Sequence, residues 1–253
     1  MTLILDRTKK NNCTSILKKL IPNGSIVNSY AFYDGKIEFS LSNDNRFVNA
    51  FTLSPPIYAF WACLMRDPHK LHAMVSSDSF KFKGEATLSV LQSMWHTHNS
   101  PFIKASLFFI MNRCSSTGLI SSGELDLQRI TPTAIAKLKT FTVPENFHLN
   151  LIETSLIEQI KKSDSESYNL VLGGKFNYNL FGHGKSIAIE ETPINHRELS
   201  KACQNISAKI IVTYDYDQKV LSAFKNNRLI MADKYGKETV HRERAEEIIV
   251  ANF

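Results

Sequence analysis

Apolar residues recur along the first quarter of the chain with two different periods, which predict alternating helices and strands. Helical spacing is present in "CTSILKKLIP" (13–22), with a Thr/Ser start and a Pro stop, and in "PPIYAFWACLMRDPHKLHAMV" (55–75), interrupted at Asp67-Pro68. Between them, "GSIVNSYAF" (24–32) and "RFVNAF" (46–51) predict strands, and "KIEFSL" (36–41) is compatible with a short helix.

The second half of the chain alternates regularly between the two patterns. Strands are predicted at 147–153, 168–172 and 208–214, and helices at 154–162, 194–205 and 217–227. Such alternation implies an α/β fold with a mostly parallel sheet covered on both faces. The last two segments, 228–236 and 245–253, have no helix between them and predict a terminal antiparallel hairpin at the sheet edge.

The middle of the chain is helical rather than alternating. Apolar helical stretches are predicted at 85–95, 101–113 and 131–141, with a polar, turn-rich segment at 114–130. We therefore expect a core made of residues 1–62 and 145–253, with a helical insertion at 63–144.

Composition limits the class of protein. The 253 residues are 43% hydrophobic and 21% charged, which is ordinary for a soluble globular protein, and the net charge of +6 suits a polyanionic partner. The four cysteines lie far apart without a CxxC pair, which predicts free thiols in a reducing compartment and no metal site. No apolar run is long enough for a membrane span or signal peptide, so we expect an intracellular, soluble protein.

Several segments, taken in order, resemble the Dam-like class of DNA N6-adenine methyltransferases, especially its phage and algal-virus members. The frame is kept in "KKLIPNGSIVNSYAFYDGKIEFSL" and "RFVNAFTLSPPIYAFWACLMRDPHKL". The segment "FFIMNRCSSTGLISSGEL" is similar to part of the target-recognition region, and "IVTYDYD" and "EEIIVANF" are similar to the family's last strands. The resemblance implies a Rossmann-like methyltransferase core, with the insertion in the position of the target-recognition region.

The resemblance also implies a cofactor site that this sequence has lost. In the family, glycines after the first strand let the backbone approach S-adenosylmethionine, whereas the matching turn here is Tyr33, Asp34 and Gly35, preceded by Phe32. An acid at the end of the second strand accepts hydrogen bonds from the ribose, and Thr52 stands at that position. We therefore expect no cofactor.

The catalytic motif of the family is absent as well. There the fourth strand leads to Asp-Pro-Pro-Tyr, whose acid orients the adenine amino group and whose aromatic ring stacks on the flipped base. The four positions here are Gly173, Gly174, Lys175 and Phe176, so only a stacking ring remains. We expect no methyl transfer from such a site.

Other motifs have simpler interpretations. Ser54-Pro55-Pro56-Ile57 suits the first turn of a helix, and residues 179–186 lack the leading glycine of a phosphate-binding loop. His96 and His98 have no further metal ligand nearby, and Asp217 is expected to cap a helix.

Basic residues provide candidate contacts to DNA phosphates. The positions are Arg113, Arg129, Lys137, Lys139 and Lys175. The leading hypothesis is a methyltransferase-like pseudoenzyme that binds DNA or a protein partner, such as an active methyltransferase or a viral assembly. Two alternatives stay open: an active S-adenosylmethionine-dependent adenine methyltransferase with divergent motifs, and a structural assembly protein that only retains the fold.

Overall fold

The computed structural model describes residues 3–5, 10, 12–77, 95, 97–115, 126–176 and 194–253. The chain divides into two compact units. The helical unit comprises Met1–Arg7, Ser54–Val143 and Ile187–Glu191, and the sheet unit comprises Thr8–Leu53, Pro144–Ser186 and Thr192–Phe253. Helix 55–66, which the expected boundary at residue 62 would divide, lies whole in the helical unit.

The elements follow one another largely as the sequence pattern predicts. The strands are β1 Ile26–Tyr30, β2 Phe47–Thr52, β3 Phe147–Leu151, β4 Tyr168–Gly174, β5 Lys209–Asp215, β6 Arg228–Asp233, β7 Glu238–Thr239 and β8 Ala245–Ala251. The α-helices are α1 Thr14–Leu20, α2 Lys36–Ser42, α3 Pro55–Arg66, α4 Pro68–Ser76, α5 Pro101–Cys114, α6 Pro132–Lys139, α7 Leu156–Lys162, α8 His196–Asn205 and α9 Gln218–Ala223. The predicted helix at 85–95 lies outside the described residues, apart from residue 95.

One sheet of eight strands organises the sheet unit. The strand order is β3-β2-β1-β4-β5-β8-β6-β7, and the first five strands in this order are parallel. The order 3-2-1-4-5 is that of the doubly wound Rossmann fold, in which ligands bind beyond the carboxyl ends of the strands. The predicted α/β fold with a mostly parallel sheet is therefore confirmed.

The antiparallel end of the sheet differs in one detail from the sequence prediction. β6 and β8 pair antiparallel, as expected, with Ile230 opposite Ile249. However, β8 lies between β5 and β6, and the two-residue strand β7 forms the edge. The final strand is buried over Glu247–Ala251, which suits an interior position but not an edge.

Three helices bury their apolar sides against one part of this sheet. Leu156 and Ile160 of α7, Leu199 and Cys203 of α8, and Val220 of α9 share a core cluster with residues of β4, β5 and β8. Serine and asparagine begin two of these helices, since Ser155 accepts a hydrogen bond from Glu158 N and Asn195 from Glu198 N. These caps mark the start of α7, which follows β3, and the start of α8, which precedes β5.

Each of the four α-helices whose bounds are described in the helical unit begins with proline in its first turn. The preceding residues are Ser54, Asp67, Ser100 and Thr131, of which Asp67 and Thr131 cap their helices through side-chain oxygens. This confirms both the break at Asp67-Pro68 and the interpretation of Ser54-Pro55-Pro56-Ile57 as a helix start. Aromatic packing joins α3 to α5, with ring centroids 5.5 Å apart for Phe60 and Phe108.

Among the described residues, no helix combines the length and apolar character that crossing a membrane requires. The four cysteines are free thiols, as predicted, and all four are buried.

Candidate functional site

The turn after β1 occupies the carboxyl end of the central strand. Ala31 and Gly35 frame it with positive φ angles of 62° and 70°. Between them, Phe32, Tyr33 and Asp34 are only 1%, 5% and 8% exposed. A turn that buries three successive side chains contrasts with a glycine turn that leaves its backbone open to a ligand.

The local packing explains why position 35 is a glycine. A Cβ at this position would lie 2.2 Å from Cε2 of Phe39, and the positive φ already disfavours a side chain. The Phe39 ring packs in turn on Phe147 and Phe32, with centroid separations of 4.8 and 6.2 Å. The glycine that matches the resembled motif therefore accommodates a packed phenylalanine ring.

Asp34 and Thr52 also take part in the protein's own structure. Asp34 Oδ1 accepts a hydrogen bond from the Lys36 backbone N–H at 3.0 Å, at the start of α2. Thr52 is 1% exposed at the end of β2, and its carbonyl accepts a bond from Ile152 N. The residue before it, Phe51, stacks on Tyr30 with ring centroids 5.1 Å apart.

The end of β4 is shaped by Tyr214 of β5. A Cβ on Gly173 would lie 2.5 Å from Cε1 of Tyr214 and 2.9 Å from the Thr213 carbonyl oxygen. The pairing of β4 with β5 is irregular between Leu172 and Gly174, and Gly174 has φ of 60°. Glycine at 173 therefore lets the tyrosine ring lie against the strand.

Phe176 does not present its ring to solvent. It is 7% exposed, and its ring centroid lies 5.0 Å from that of His196 and 5.4 Å from that of Tyr214. The sequence analysis predicts that this ring can stack on a base, whereas the structure buries it in the core. Lys175, the residue before it, is exposed.

His196 and Tyr214 complete this aromatic cluster, and the sequence analysis did not find them. His196 Nδ1 lies 3.0 Å from the Tyr214 hydroxyl, and both residues are buried. Burial lowers the pKa of His196 to about 4 and raises the pKa of Tyr214. At neutral pH the pair is a neutral imidazole and a protonated phenol. No local motif marks the pair, because its partners come from α8 and β5.

A buried carboxyl group was missed for the same reason. Ser29 Oγ of β1 donates a 2.9 Å hydrogen bond to Glu38 Oε1 of α2, and both residues are 0% exposed. The periodic pattern of "KIEFSL" assigns Glu38 to a helix but does not show which face is buried.

A second polar cluster joins the start of α1 to β8. Glu247 is 2% exposed and accepts a 2.7 Å bond from Asn12 N, while Lys36 Nζ donates to Asn12 Oδ1 at 3.2 Å. Burial raises the pKa of Glu247 and that of the adjacent Cys13 thiol. A thiol with a raised pKa is protonated at neutral pH, so Cys13 is a poor nucleophile.

The candidate DNA contacts differ widely in exposure. Arg113 is 2% exposed and donates through Nε to the Leu3 carbonyl at 2.7 Å. Next to it, Asn112 exchanges two hydrogen bonds with the backbone of Leu5, so both residues hold the N-terminal segment. A guanidinium buried in this way has little access to a phosphate, which argues against Arg113 as a DNA contact.

The remaining basic candidates retain more exposure. Arg129 is 35% exposed and pairs with Asp126 at 3.1 Å. On α6, Lys137 is half-buried and Lys139 is exposed. These three residues belong to the helical unit, whereas Lys175 belongs to the sheet unit.

The other candidate motifs have structural roles or lie outside the described residues. Asp217 accepts a hydrogen bond from Lys219 N at 2.8 Å and caps α9. Residues 96 and 179–186 fall outside the described residues. Within the described ranges, no group of three or more His, Cys, Asp or Glu side chains is arranged to hold a metal ion.

Comparisons with known proteins concern the fold. No protein-family profile matches the sequence, and the search of curated proteins gave no match. A TehB-like SAM-dependent methyltransferase from Corynebacterium glutamicum is 8% identical, with 95% of this chain and 85% of that chain covered and a TM-score of 0.39. The rRNA methyltransferase aviRa from Streptomyces viridochromogenes is 10% identical, with 94% and 82% covered and a TM-score of 0.35.

Both of these solved structures are of methyltransferases. At such low identities and TM-scores they give no basis for transferring an activity or a substrate. The strand order of the sheet, and the side chains at its carboxyl ends, therefore provide the arguments about function.

Proposed function

We propose that this chain is a catalytically inactive homologue of a DNA N6-adenine methyltransferase, which acts as a DNA-binding or partner-binding subunit. The observation that carries the proposal is the packing at the end of β4. Phe176 is buried against His196 and Tyr214, and Gly173 has a tyrosine ring where an acidic side chain would begin. A flipped adenine needs an open aromatic face and a hydrogen-bond acceptor at these positions.

The residues at the cofactor positions do not fit S-adenosylmethionine. Tyr33 is a bulky, buried side chain where the family has glycine, and Asp34 would place a carboxylate beside the carboxylate of the ligand. Thr52 offers one hydroxyl in place of a charged acceptor for two ribose hydroxyls. Each change weakens binding, and all three occur in the same unit.

A surface role is compatible with the loss of chemistry. The packed sheet and its capped helices need none of the reactive groups, so the fold can persist as a scaffold for binding. The net charge of +6 and the exposed side chains of Lys139 and Lys175 favour a polyanion such as DNA. A protein partner, such as an active methyltransferase or a viral assembly, is the other binding role within this proposal.

Two assays on the purified protein test the proposal. With labelled S-adenosylmethionine and duplex DNA, we expect no labelled methyl group on adenine. Fluorescence anisotropy with the same duplex should show binding that weakens steeply as salt rises, because phosphate contacts release counterions. Incorporation of methyl groups into adenine would contradict the proposal.

Two double variants that remove the same charge test whether α6 contacts DNA specifically or only contributes to the net charge of the protein. Replacing Lys137 and Lys139 with alanine should reduce the salt slope of DNA binding by roughly 2, because each phosphate contact contributes about 0.9. Replacing Lys161 and Lys162 at the end of α7 removes the same charge elsewhere and should have a smaller effect. Equal effects would show that α6 is not a specific contact.

A further inference from the structure

The segment 228–244, which we call the basic hairpin, exposes apolar side chains in an unusual way. It comprises β6, the turn to β7, and the 3-10 turn Arg242–Arg244. Tyr235 is 72% exposed and Val240 is 82% exposed, the two highest values among the large hydrophobic residues described. Single exposed apolar residues are common, so the case for a contact surface depends on what surrounds Tyr235.

The turn that carries Tyr235 is held rigidly. Asp233 Oδ1 accepts hydrogen bonds from the backbone N–H groups of Tyr235 and Lys237, each at 2.9 Å. The backbones of Asp233 and Lys237 are bonded at 2.8 Å, so the turn is closed twice. The exposure of Tyr235 is therefore a property of a defined turn, and little conformational freedom is lost when it binds a ligand.

The same turn is anchored to α1. Ser15 Oγ donates to the Gly236 carbonyl at 2.7 Å, and a Cβ on Gly236 would lie 2.0 Å from the Asn12 carbonyl oxygen. Gly236 also has φ of 72°. Glycine here permits the close approach of the two backbones, which anchors the turn that carries Tyr235.

The hairpin is positively charged where it is exposed. It contains five Lys or Arg residues and three Asp or Glu residues. Two of the acids have partners within the hairpin, because Asp233 bonds the turn and Glu243 lies 3.3 Å from His241 Nδ1. In contrast, the exposed cations form no ion pair with any residue in the described ranges: Lys234, Lys237, Arg242 and Arg244.

Tyr235 and Lys234 together form a small binding unit. Lys234 Nζ lies over the Tyr235 ring, 5.0 Å from its centroid, so a cation and an exposed aromatic ring share one surface. Unpaired bases stack on aromatic rings, and their phosphates bind nearby cations. A duplex, whose bases are already stacked, uses the cations but not the ring.

We infer that the basic hairpin binds single-stranded DNA, with Tyr235 stacking on a base and Lys234 and Lys237 contacting the adjacent phosphates. The inference rests on the proposed function in its DNA-binding form and assigns it a surface and a strand preference.

Anisotropy with a fluorescein-labelled oligothymidylate tests the inference. We expect Y235A to weaken binding about ten-fold, the loss typical of one stacked base, and Y235F to bind like the wild type. K234A/K237A should weaken binding and reduce the salt slope by roughly 1.4, because each phosphate contact to a single strand contributes about 0.7. K161A/K162A removes the same charge elsewhere and should have a smaller effect. All substituted side chains are exposed or half-buried, and unchanged thermal unfolding would confirm that each variant folds.

The outcomes separate this inference from the proposed function. If the wild type binds oligothymidylate and the hairpin variants bind equally well, the inference is wrong while DNA binding stands. If Y235A loses duplex and single-stranded binding equally, base stacking is not the reason, which also contradicts the inference. Methylation of adenine by a protein that binds single strands through Tyr235 would contradict only the proposed function. No binding of either DNA by the wild type would contradict the DNA role of both.

Discussion

At the scale of single residues, the end of β4 is occupied by the protein itself. Phe176, His196 and Tyr214 form one buried aromatic cluster, in which a 3.0 Å hydrogen bond pairs the imidazole with the phenol. This bond gives the buried His196 Nδ1 and the buried Tyr214 hydroxyl a partner within the cluster, as buried polar groups require. It therefore stabilises the sheet at a position where the resemblance predicts a base-binding site.

The buried histidine gives a pH dependence with a defined sign. His196 has a pKa of about 4 in the folded protein and about 6.5 when unfolded, so below pH 6.5 the unfolded chain binds the extra proton. Its contribution to the free energy of unfolding is full above 6.5 and is lost as the pH falls toward 4. Between pH 7.5 and 5 the wild type should lose about 2 kcal/mol from this group.

Urea unfolding at the two pH values measures this loss. H196N, which keeps a polar atom near the Tyr214 hydroxyl but does not titrate, should show a smaller change between them. H241N serves as the control, because His241 has a 58% exposed side chain and should not alter the wild-type difference. An H196N variant with the same pH dependence as the wild type would contradict the assignment of this loss of stability to His196.

Introducing an acid at position 173, where the resembled motif has one, provides a second residue-scale test. G173D should destabilise the protein by at least about 2 kcal/mol, because the new Cβ meets the Tyr214 ring and a carboxylate is added to a packed site. We expect no gain of adenine methylation. The free energy of unfolding and a methyl-incorporation assay check both parts, and a stable, methylating G173D would show that the site is open.

At the scale of elements, Arg46 links the end of α1 to the start of β2. Its guanidinium is 2% exposed and bonds the carbonyls of Lys18 and Ile21, the latter at 2.6 and 2.9 Å. Helix carbonyls near a C-terminus lack intrahelical partners, so this side chain completes the helix end. The forked geometry of arginine reaches several acceptors at once.

Lysine cannot reproduce this geometry. We expect R46K to lower the free energy of unfolding by about 2–3 kcal/mol, since buried carbonyls lose charge-assisted hydrogen bonds. Chemical denaturation measures the change, and R228K on the exposed start of β6 should stay within about 0.5 kcal/mol of the wild type. An R46K variant as stable as R228K would contradict this role for Arg46.

Local signals explain which elements the sequence predicts well. Thr131-Pro132 and Asp67-Pro68 mark helix starts through capping and fixed φ angles, which depend only on neighbouring residues. The position of β8 between β5 and β6 depends on pairing between distant segments, so its apolar pattern shows a strand but not its neighbours. The same limit applies to the site, because Tyr214 meets Gly173 only through the pairing of β4 with β5.

At the scale of the whole molecule, positions that lie far apart in the sequence come together at one edge of the sheet. The turn after β1, the end of β2 and the end of β4 all lie at the carboxyl ends of parallel neighbouring strands. Tyr33, Thr52 and Phe176 are all buried there. Our central claim is that these side chains replace the cofactor and the base, so that binding has moved to the surface.

A thermal unfolding series with S-adenosylmethionine tests this claim most directly. A ligand that binds the folded state at about a hundred times its Kd stabilises it by about 2.7 kcal/mol, which for a chain of this size raises Tm by several degrees. We expect no rise in Tm with about 1 mM S-adenosylmethionine, a hundredfold excess over a Kd of roughly 10 µM. A reproducible, saturable rise in Tm would contradict the claim and support an active cofactor site.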